Sequence, residues 1–177
     1  MVVKIRQLQS NEVADFWKLA FSDADADWTK LNGPYFHDDL PTKDYFEKVL
    51  AKKYWLNNKD HLVITFDGTI VGSVGASFKD GDLKRWLDVG ITIYPEKMWD
   101  KHIGTQALEL FFDYLFKIYD LPHLGLTTWS GNPRMMHLAE KIGMRQEARI
   151  RSVRYYNGKY YDSVVYGILR SEWMNRK

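Results

Sequence analysis

A short segment near the middle of the chain, residues 95–105, combines residue types that suit the binding of a phosphate group. It joins a predicted strand to a predicted buried helix, so the backbone N–H groups of the first helical turn and the positive end of the helix dipole face any anion bound there. Lys97, Lys101 and His102 add positive charge, and Gly104 permits close approach to the backbone. An ordinary helix start with solvated lysines explains the same residues, so both interpretations stay open at this point.

Several other kinds of site are excluded by their missing residues. The segment lacks the Gly-x-x-x-x-Gly-Lys pattern of a Walker A loop and the Gly-x-Gly-x-x-Gly pattern of a dinucleotide site. The chain has no cysteine, which excludes disulfides, thiolate metal sites and a cysteine nucleophile. Ser130 has no Gly-x-Ser-x-Gly context, and no His-Glu-x-x-His motif exists. The aspartates of residues 23–27 resemble the start of a calcium loop, but Trp28 and Pro34 replace its glycine and glutamate.

The composition indicates one folded domain. The chain has 177 residues, a net charge of +2, 45% hydrophobic residues and 15% aromatic residues, enough to bury a core. The near-neutral charge argues against a large nucleic-acid interface. Charges lie within the first apolar residues, and no apolar run is long enough for a membrane span, so we expect no signal peptide, no membrane association and a cytoplasmic location.

Alternating and helical hydrophobic patterns predict the elements that must position these residues. Ser10 is expected to cap a helix near 11–21, and Thr42 one that ends near Lys53. Asn132 is expected to cap another, with Pro133 at its first position and Gly143 just past its end. The remaining predicted elements are strands at 3–8, 61–66, 69–78, 85–94, 124–129, 144–156 and 159–169, a loop at 22–40 and a buried helix at 103–118. This order predicts a mixed α/β fold with one sheet layer and helices on its faces.

Five motifs occur in a fixed order: Asp88–Ile93, Tyr94-Pro95, Trp99–Leu108, Asn132-Pro133-Arg134 and Glu140–Met144. Together they resemble the GNAT superfamily of acyl-CoA-dependent N-acyltransferases, most closely the branch that contains ribosomal-protein N-terminal acetyltransferases. The resemblance runs through residues 3–170, with the specific motifs between 88 and 144. It implies a single N-acetyltransferase domain over residues 1–177, built on a mixed, mainly antiparallel sheet of about seven strands with helices on both faces.

The resemblance also implies a site for acetyl-CoA as co-substrate, without a metal. The family's Gln/Arg-x-x-Gly-x-Gly/Ala signature corresponds to residues 99–104, whose backbone N–H groups would hold the pyrophosphate. The implied cofactor-binding residues are Ile91, Ile93, Trp99, Asp100, Lys101, His102, Ile103, Gly104, Thr105 and Asn132. The two isoleucines match the strand that pairs with the pantetheine arm, and Asn132 matches an asparagine near the thiol arm. Trp99 and His102 depart from the signature, and a left-handed conformation at position 102 would cost more for histidine than for glycine.

The family's reaction is direct attack of an amine on the thioester, which needs a base for the ammonium and a donor for the leaving thiolate. Asp88 and Glu147 match acidic residues of the family and are the candidate bases. Each is also explained as a solvated carboxylate or as one paired with Arg149 or Arg151. The family's usual tyrosine and serine donors correspond to Ala139 and Met135, which leaves Tyr94, Ser130 or a water held by Asn132 as donor, or none at all.

The acceptor is left open by the sequence: a protein α-amine, a polyamine, an aminoglycoside or a small metabolite. The acidic and aromatic loop at 22–40 lies where the family commonly builds its acceptor site, although a solvated loop explains it equally well. Arginines and tyrosines interleave at 145–161, which suits single-stranded nucleic acid but is more typical of cross-strand pairs in a hairpin. A homodimer is left open. The alternative to an enzyme is a non-catalytic module that binds acyl-CoA or a phosphate ligand.

Overall fold

The computed structural model describes residues 2–176 and contains a seven-stranded sheet. The strands are β1 (Val3–Arg6), β2 (His61–Phe66), β3 (Thr69–Phe78), β4 (Leu87–Ile93), β5 (His123–Trp129), β6 (Arg145–Tyr156) and β7 (Lys159–Leu169). Their order in the sheet is β1-β2-β3-β4-β5-β7-β6. The β4–β5 pair is parallel, whereas the pairs β1–β2, β2–β3, β5–β7 and β6–β7 are antiparallel. The predicted mixed, mainly antiparallel sheet is therefore confirmed.

Helical segments lie between the strands, and one more follows the last strand. They are α1 (Val13–Phe21), α2 (Lys43–Tyr45) continuing as a π-helix (Phe46–Trp55), α3 (Ile103–Ile118), α4 (Pro133–Lys141) and α5 (Arg170–Met174). Two compact units share these elements. The first comprises the residues up to Gly75 together with Ile91–Ala107, and the second comprises Ala76–Gly90 together with the residues from Leu108 onward. Because β3, β4 and α3 each run through both units, the prediction of one domain over residues 1–177 stays a prediction.

The core of the first unit is aromatic. Phe16 of α1 packs 4.6 Å from Trp55 and 5.9 Å from Phe46, measured between ring centroids. Tyr94, just after β4, packs 5.4 Å from Trp28 and joins the same cluster. Off-centred and edge-on ring pairs of this kind add to the free energy gained by burying apolar area. The cluster fixes the end of β4, from which the predicted phosphate segment departs.

In the second unit, one face of the sheet is covered by helices. Along β5, Leu124 and Leu126 are fully buried, as are Val164, Tyr166 and Ile168 of β7. The Tyr166 hydroxyl donates a hydrogen bond of 2.9 Å to Glu140 of α4, which shows that α4 lies on this face. Since side chains alternate along a strand, His123, Gly125 and Thr127 of β5 must lie on the opposite face.

Most predicted boundaries agree with the structure, and the differences have local causes. Ser10 does not cap α1, because it lies inside a 3₁₀ turn (Ser10–Glu12) that follows Gln9. The second helix ends at Trp55 instead of near Lys53, since a π-helix with a 2.8 Å bond from Leu56 N to Ala51 O extends it. Strand β1 ends at Arg6 and β4 spans Leu87–Ile93, both shorter than predicted. The sequence analysis missed α5.

Candidate active site

A tight bend connects β4 to α3. Backbone bonds from Met98 N to Pro95 O (2.9 Å) and from Trp99 N to Glu96 O (2.8 Å) close a 3₁₀ turn at its start. The indole Nε1 of Trp99 donates a 2.8 Å hydrogen bond back to the carbonyl of Ile93. Trp99, which departs from the family signature, therefore anchors the bend to the last residue of β4.

Two residues of the bend have left-handed backbones although neither is glycine. Asp100 has φ +58° and His102 has φ +59°. Such conformations cost L-residues about 1 to 2 kcal/mol each, and they persist where the surrounding structure imposes them. The left-handed conformation considered for His102 is therefore present in the structure. Left-handed residues on both sides of Lys101 turn the chain sharply just before α3.

The bend ends in the open first turn of a sixteen-residue helix. The carbonyl of His102 accepts the hydrogen bond from Gln106 N at 3.1 Å, so His102 occupies the N-cap position of α3. The N–H groups of Ile103, Gly104 and Thr105 then belong to the first turn, which has no acceptors within the helix. Ile103 buries its side chain, whereas Lys101 and His102 are exposed. The arrangement suits the binding of an anionic phosphate by backbone N–H groups.

The predicted pantetheine strand lies at the carboxyl end of β4. Ile91 and Ile93 are half-buried, and the Ile93 side chain packs over Gly72 of β3. Tyr94 N donates a 3.0 Å bond to Val71 O, which holds this end of β4 against β3. Ile91, Ile93 and residues 99–105 all belong to the first unit. The structure therefore brings the predicted strand and the predicted phosphate bend together within one compact unit.

Asn132 belongs to the second unit and caps α4 as predicted. Its Oδ1 accepts a 3.0 Å bond from Met135 N, and Pro133 occupies the first helical position. Gly143, with φ +85°, ends the helix as predicted: its N–H bonds Glu140 O at 2.9 Å, and Met144 N bonds Ala139 O at 3.0 Å. This pair of bonds is the Schellman motif. The cap fixes the orientation of the Asn132 side chain.

Asp88, the first candidate base, is buried in the second unit, with only 8% of its surface exposed. Its Oδ2 accepts a 2.7 Å bond from the Thr127 hydroxyl and lies 3.6 Å from Lys79 Nζ. Its Oδ1 is buried without a hydrogen-bond partner. Burial of an unpaired carboxylate oxygen is costly, and such groups are concentrated at functional sites. The interpretation that Asp88 is a solvated carboxylate is wrong. The charged side chain beside Asp88 is Lys79, not one of the predicted arginines.

Glu147, the second candidate base, projects from a bulge in β6. Gln146 and Ala148 pair with consecutive residues of β7, which leaves Glu147 as the extra residue. Both carboxylate oxygens lie close to His123 Nε2, at 3.0 and 3.1 Å. Pairing with Arg149 is wrong, because Arg149 Nε bonds Asp162 at 2.6 Å. The sequence analysis missed His123, although a histidine at the start of a buried strand was a usable signal.

The family assignment rests on a comparison with family models. The family described as acetyltransferase (GNAT) domain matches residues 3–145, most of the chain. This chain belongs to that family. The match contains β1 to β5, the bend and α4, so the sequence-predicted resemblance is confirmed.

Relatives of this GNAT domain include named acetyltransferases. A putative ribosomal N-acetyltransferase, YdaF, of Bacillus subtilis (strain 168) is 28% identical over 114 residues, 64% of this chain and 61% of that protein. A spermidine N(1)-acetyltransferase of Vibrio cholerae (strain ATCC 39315 / El Tor Inaba N16961) is 30% identical over 94 residues, 53% of this chain and 54% of that protein. The chain thus matches about half to three fifths of the length of these relatives.

Solved structures share the fold of this GNAT domain. A spermidine N-acetyltransferase from Vibrio cholerae in complex with CoA and spermine has a TM-score of 0.77 at 22% identity, covering 98% of each chain. A GNAT-family acetyltransferase from Bacillus anthracis has a TM-score of 0.75 at 20% identity, covering 96% of each chain. At these identities the likeness shows the fold alone.

The hydroxyl donors common in the family are absent from their positions in α4. Ala139 is fully buried and Met135 is half-buried. Tyr94, one proposed substitute, is bonded to the Ser73 hydroxyl at 2.8 Å, and burial raises the pKa of its phenol, which makes it a poor acid. Ser130 Oγ accepts a 2.9 Å bond from Asp162 N. Neither hydroxyl is an evident donor to a thiolate.

The loop at 22–40 has an internal ion pair and an internal hydrogen bond. Lys30 Nζ lies 2.6 Å from Asp27, and this contact lowers the pKa of that carboxyl. Asp23 accepts a 2.9 Å bond from Asp25 N. Trp28 is buried in the aromatic core. The loop is therefore partly ordered by its own contacts.

The hairpin at 145–161 contains the cross-strand ring pair that is typical of a sheet. Tyr155 and Tyr160 form a cross-strand pair with centroids 5.0 Å apart. Arg145 pairs with Glu172 at 2.9 Å, and Arg149 pairs with Asp162. Within residues 2–176, no group of three or more acidic or histidine side chains is placed to hold a metal ion, and no helix is long and apolar enough to cross a membrane.

Proposed function

We propose that this chain transfers an acetyl group from acetyl-CoA to a primary amine by direct attack of the amine on the thioester. In that reaction a C–N bond forms, the C–S bond breaks, the amine loses a proton and the CoA thiolate leaves. Family membership over residues 3–145 supports acetyl transfer. The observation that carries the proposal in the structure is the left-handed bend at Asp100 and His102, which leads from β4 into the open first turn of α3.

Each predicted cofactor residue has a role in this proposal, and the role of Asp100 is the left-handed backbone that turns the chain at the bend. The backbone N–H groups of residues 101–105 hold the pyrophosphate, and Trp99 fixes the bend through its bond to Ile93. The edge of β4 at Ile91 and Ile93 pairs with the amide groups of the pantetheine arm as an added strand does. Asn132, oriented by its bond to Met135 N, lies near the thiol arm. No step requires a cysteine or a metal.

Either Asp88 or Glu147 is proposed to remove the proton from the ammonium. Asp88 lies on β4, the same strand as Ile91 and Ile93, and has an unpartnered buried oxygen. This makes it the first choice as base, acting directly or through a water molecule. Thr127 and Lys79 hold the other oxygen, so the carboxylate is fixed in one orientation.

The acceptor class proposed is a small-molecule or peptide amine. One relative is named as a putative ribosomal N-acetyltransferase, and another is named as a spermidine N(1)-acetyltransferase. The acidic loop at 22–40 would attract a cationic amine of either kind. We also predict a cytoplasmic location and no nucleic-acid partner. Formation of a homodimer is an open question, which light scattering after size-exclusion chromatography tests.

The test combines calorimetry with release of the CoA thiol. We expect CoA binding and thiol release with at least one amine from a panel of polyamines, amino-terminal peptides, aminoglycosides and small metabolites. Gly104→Trp should abolish CoA binding by crowding the pyrophosphate. Leu110→Trp, at an exposed position of the same helix, is the matched control and should bind CoA normally.

Two results would contradict the proposal in different ways. Tight CoA binding without thiol release for any amine would favour the non-catalytic binding module. Unchanged CoA affinity of Gly104→Trp would show that the pyrophosphate binds elsewhere.

A further inference from the structure

Three titratable side chains of the second unit converge over a pair of glycines. Gly125 of β5 pairs with Asp88 of β4 on one side and with Gly167 of β7 on the other. A Cβ atom on Gly125 would overlap Asp88 Oδ1 and would lie 3.5 Å from His123 Cε1. A Cβ atom on Gly167 would overlap the Glu147 carboxylate. The two carboxylates and the imidazole therefore occupy space that any larger residue at these positions would fill.

The imidazole of His123 contacts the Glu147 carboxylate and lies beside the space over Gly125 that Asp88 occupies. Its Nε2 contacts Glu147 at 3.0 Å, while its Cε1 faces the point over Gly125 that Asp88 Oδ1 also reaches. A half-turn of the ring about the Cβ–Cγ bond exchanges the positions of Nε2 and Cε1. The ring is 22% exposed on the face of the sheet opposite α4, and the proposal requires it to rotate there. In the rotated state, Nε2 would face the unpartnered Asp88 oxygen.

The two carboxylates differ in their access to water. The Asp88 side chain is 10% exposed, whereas the Glu147 side chain is 42% exposed. A buried base that takes a proton in each turnover must release it before the next one. The Thr127 hydroxyl and the Lys79 ammonium contact the Oδ2 atom of Asp88. Both act as hydrogen-bond donors in these contacts, so neither can accept the proton of a protonated Asp88.

We propose that His123 is a proton relay that carries the proton from Asp88 to Glu147 and so to solvent. The inference rests on the proposed function, with Asp88 as base. The Nε2–H of His123 first passes its proton to Glu147 and on to water, which leaves the ring protonated at Nδ1 alone. The ammonium N–H bond breaks as an O–H bond forms on Asp88, and that proton moves to the unprotonated Nε2 of the rotated ring. Rotation back returns the Nε2–H to the ionised Glu147, so one proton has passed from the ammonium to water.

The charged groups around the relay are few and come from neighbouring strands. Lys79, following β3, contacts Asp88. On β6, Arg145 pairs with Gly167 in the ladder, and its guanidinium is engaged by Glu172. The residues of β7 on this face, Val165, Gly167 and Leu169, do not titrate. Histidine is the side chain whose ordinary pKa suits proton exchange with a carboxylate and with water near neutral pH.

The test is steady-state kinetics of His123→Asn and His123→Ala with acetyl-CoA and an accepted amine. We expect kcat to fall about 10- to 100-fold at pH 7, with the KM for acetyl-CoA unchanged. Added imidazole should restore most of the rate of His123→Ala in a saturable manner, because it replaces the relay. The wild type should show no such dependence. His137→Asn, at an exposed histidine of α4, is the matched control and should retain full rate.

The outcomes separate this proposal from the proposed function. If wild-type protein releases no thiol with any amine, the proposed function fails. If Asp88→Asn is slow but His123→Asn keeps the wild-type rate and pH profile, only the relay fails. A loss in His123→Ala that imidazole does not restore, with a matching fall in the free energy of unfolding, would show a structural role and overturn the relay. If His123→Asn does not fold, Glu147→Gln provides the second test, with a several-fold loss of kcat expected and a full rate contradicting the relay.

Discussion

Gly125 and Gly167 lie directly opposite each other on β5 and β7, and a carboxylate from another strand covers each of them. Asp88 occupies the space over Gly125, and Glu147 occupies the space over Gly167. The absence of two side chains therefore permits the polar cluster. This relationship makes the two glycines part of the candidate active site although neither has a functional group.

Gly125→Ala should destabilise the protein more than Gly167→Ala. The new methyl group would overlap the buried, doubly held Asp88, and overpacking of this kind costs about 1 to 3 kcal/mol. At Gly167 it would meet the flexible end of the half-exposed Glu147 side chain, which can move. Urea unfolding measures both changes. Gly90→Ala, where no atom lies within 4 Å of the new Cβ, is the control, and equal effects at 125 and 167 would contradict the explanation.

Glycine substitutions in the bend should have opposite effects at neighbouring positions. Asp100→Gly and His102→Gly relieve a left-handed conformation that costs about 1 to 2 kcal/mol, less the roughly 0.5 to 1 kcal/mol of added unfolded-chain entropy. Each variant should therefore be between neutral and about 1.5 kcal/mol more stable. Lys101→Gly lies between them without a left-handed backbone and should lose about 0.5 to 1 kcal/mol.

Denaturant titration measures the free energy of unfolding of the three variants. Calorimetry measures their affinity for CoA. CoA affinity of His102→Gly should be retained, because the backbone N–H survives the substitution. Destabilisation by all three glycines would show that the bend is not strained.

Arg170 should be a large contributor to the stability of the second unit. Its guanidinium donates to the carbonyls of Phe116, Tyr119 and Leu121 at 2.7, 2.5 and 2.9 Å, which closes the end of α3. Hydrogen bonds from a charged donor contribute about 1.5 to 3 kcal/mol each but are not additive, so Arg170→Met should cost about 3 kcal/mol.

Thermal and urea unfolding measure this loss. Arg170→Lys should recover part of it, since an ammonium can reach one or two of the carbonyls. The exposed Arg85→Met is the control and should change stability by less than about 0.5 kcal/mol. A loss at Arg170 as small as that at Arg85 would contradict the capping role.

His61 should make the protein less stable as the pH falls below neutral. Desolvation lowers the pKa of this partly buried ring, which lies against Trp55, and its Nδ1 is buried without a hydrogen-bond partner. The unfolded chain therefore binds a proton at a higher pH than the folded chain. The stability contribution is full above the ordinary histidine pKa of about 6.5 and is lost as the pH falls through the lower folded value.

Urea unfolding between pH 7.5 and 5 tests this dependence. The slope of the unfolding free energy against pH should be shallower for His61→Phe than for the wild type. Identical slopes for wild type and His61→Phe would show that His61 titrates normally in the folded state.

Much of the fold was predictable because its signals are local. Three short signals each specify one backbone conformation, and each lies where it was predicted. They are the Asn157-Gly158 turn, the Asn132-Pro133 start of α4 and Gly143 at the end of α4. The bend was also readable, because the motifs around it have a fixed order. The π-helix and α5 were missed, since neither has a distinctive local pattern.

The sequence by itself determined the family and the order of the elements from β1 to β7, since each depends on neighbouring residues or on a motif in fixed order. Only the tertiary structure decided that Asp88 is buried, that Glu147 pairs with His123 instead of an arginine, and that two glycines make room for both carboxylates. These relationships join residues from four strands far apart in the chain. Sheet register sets their neighbours, and register is fixed by long-range pairing that no local pattern specifies.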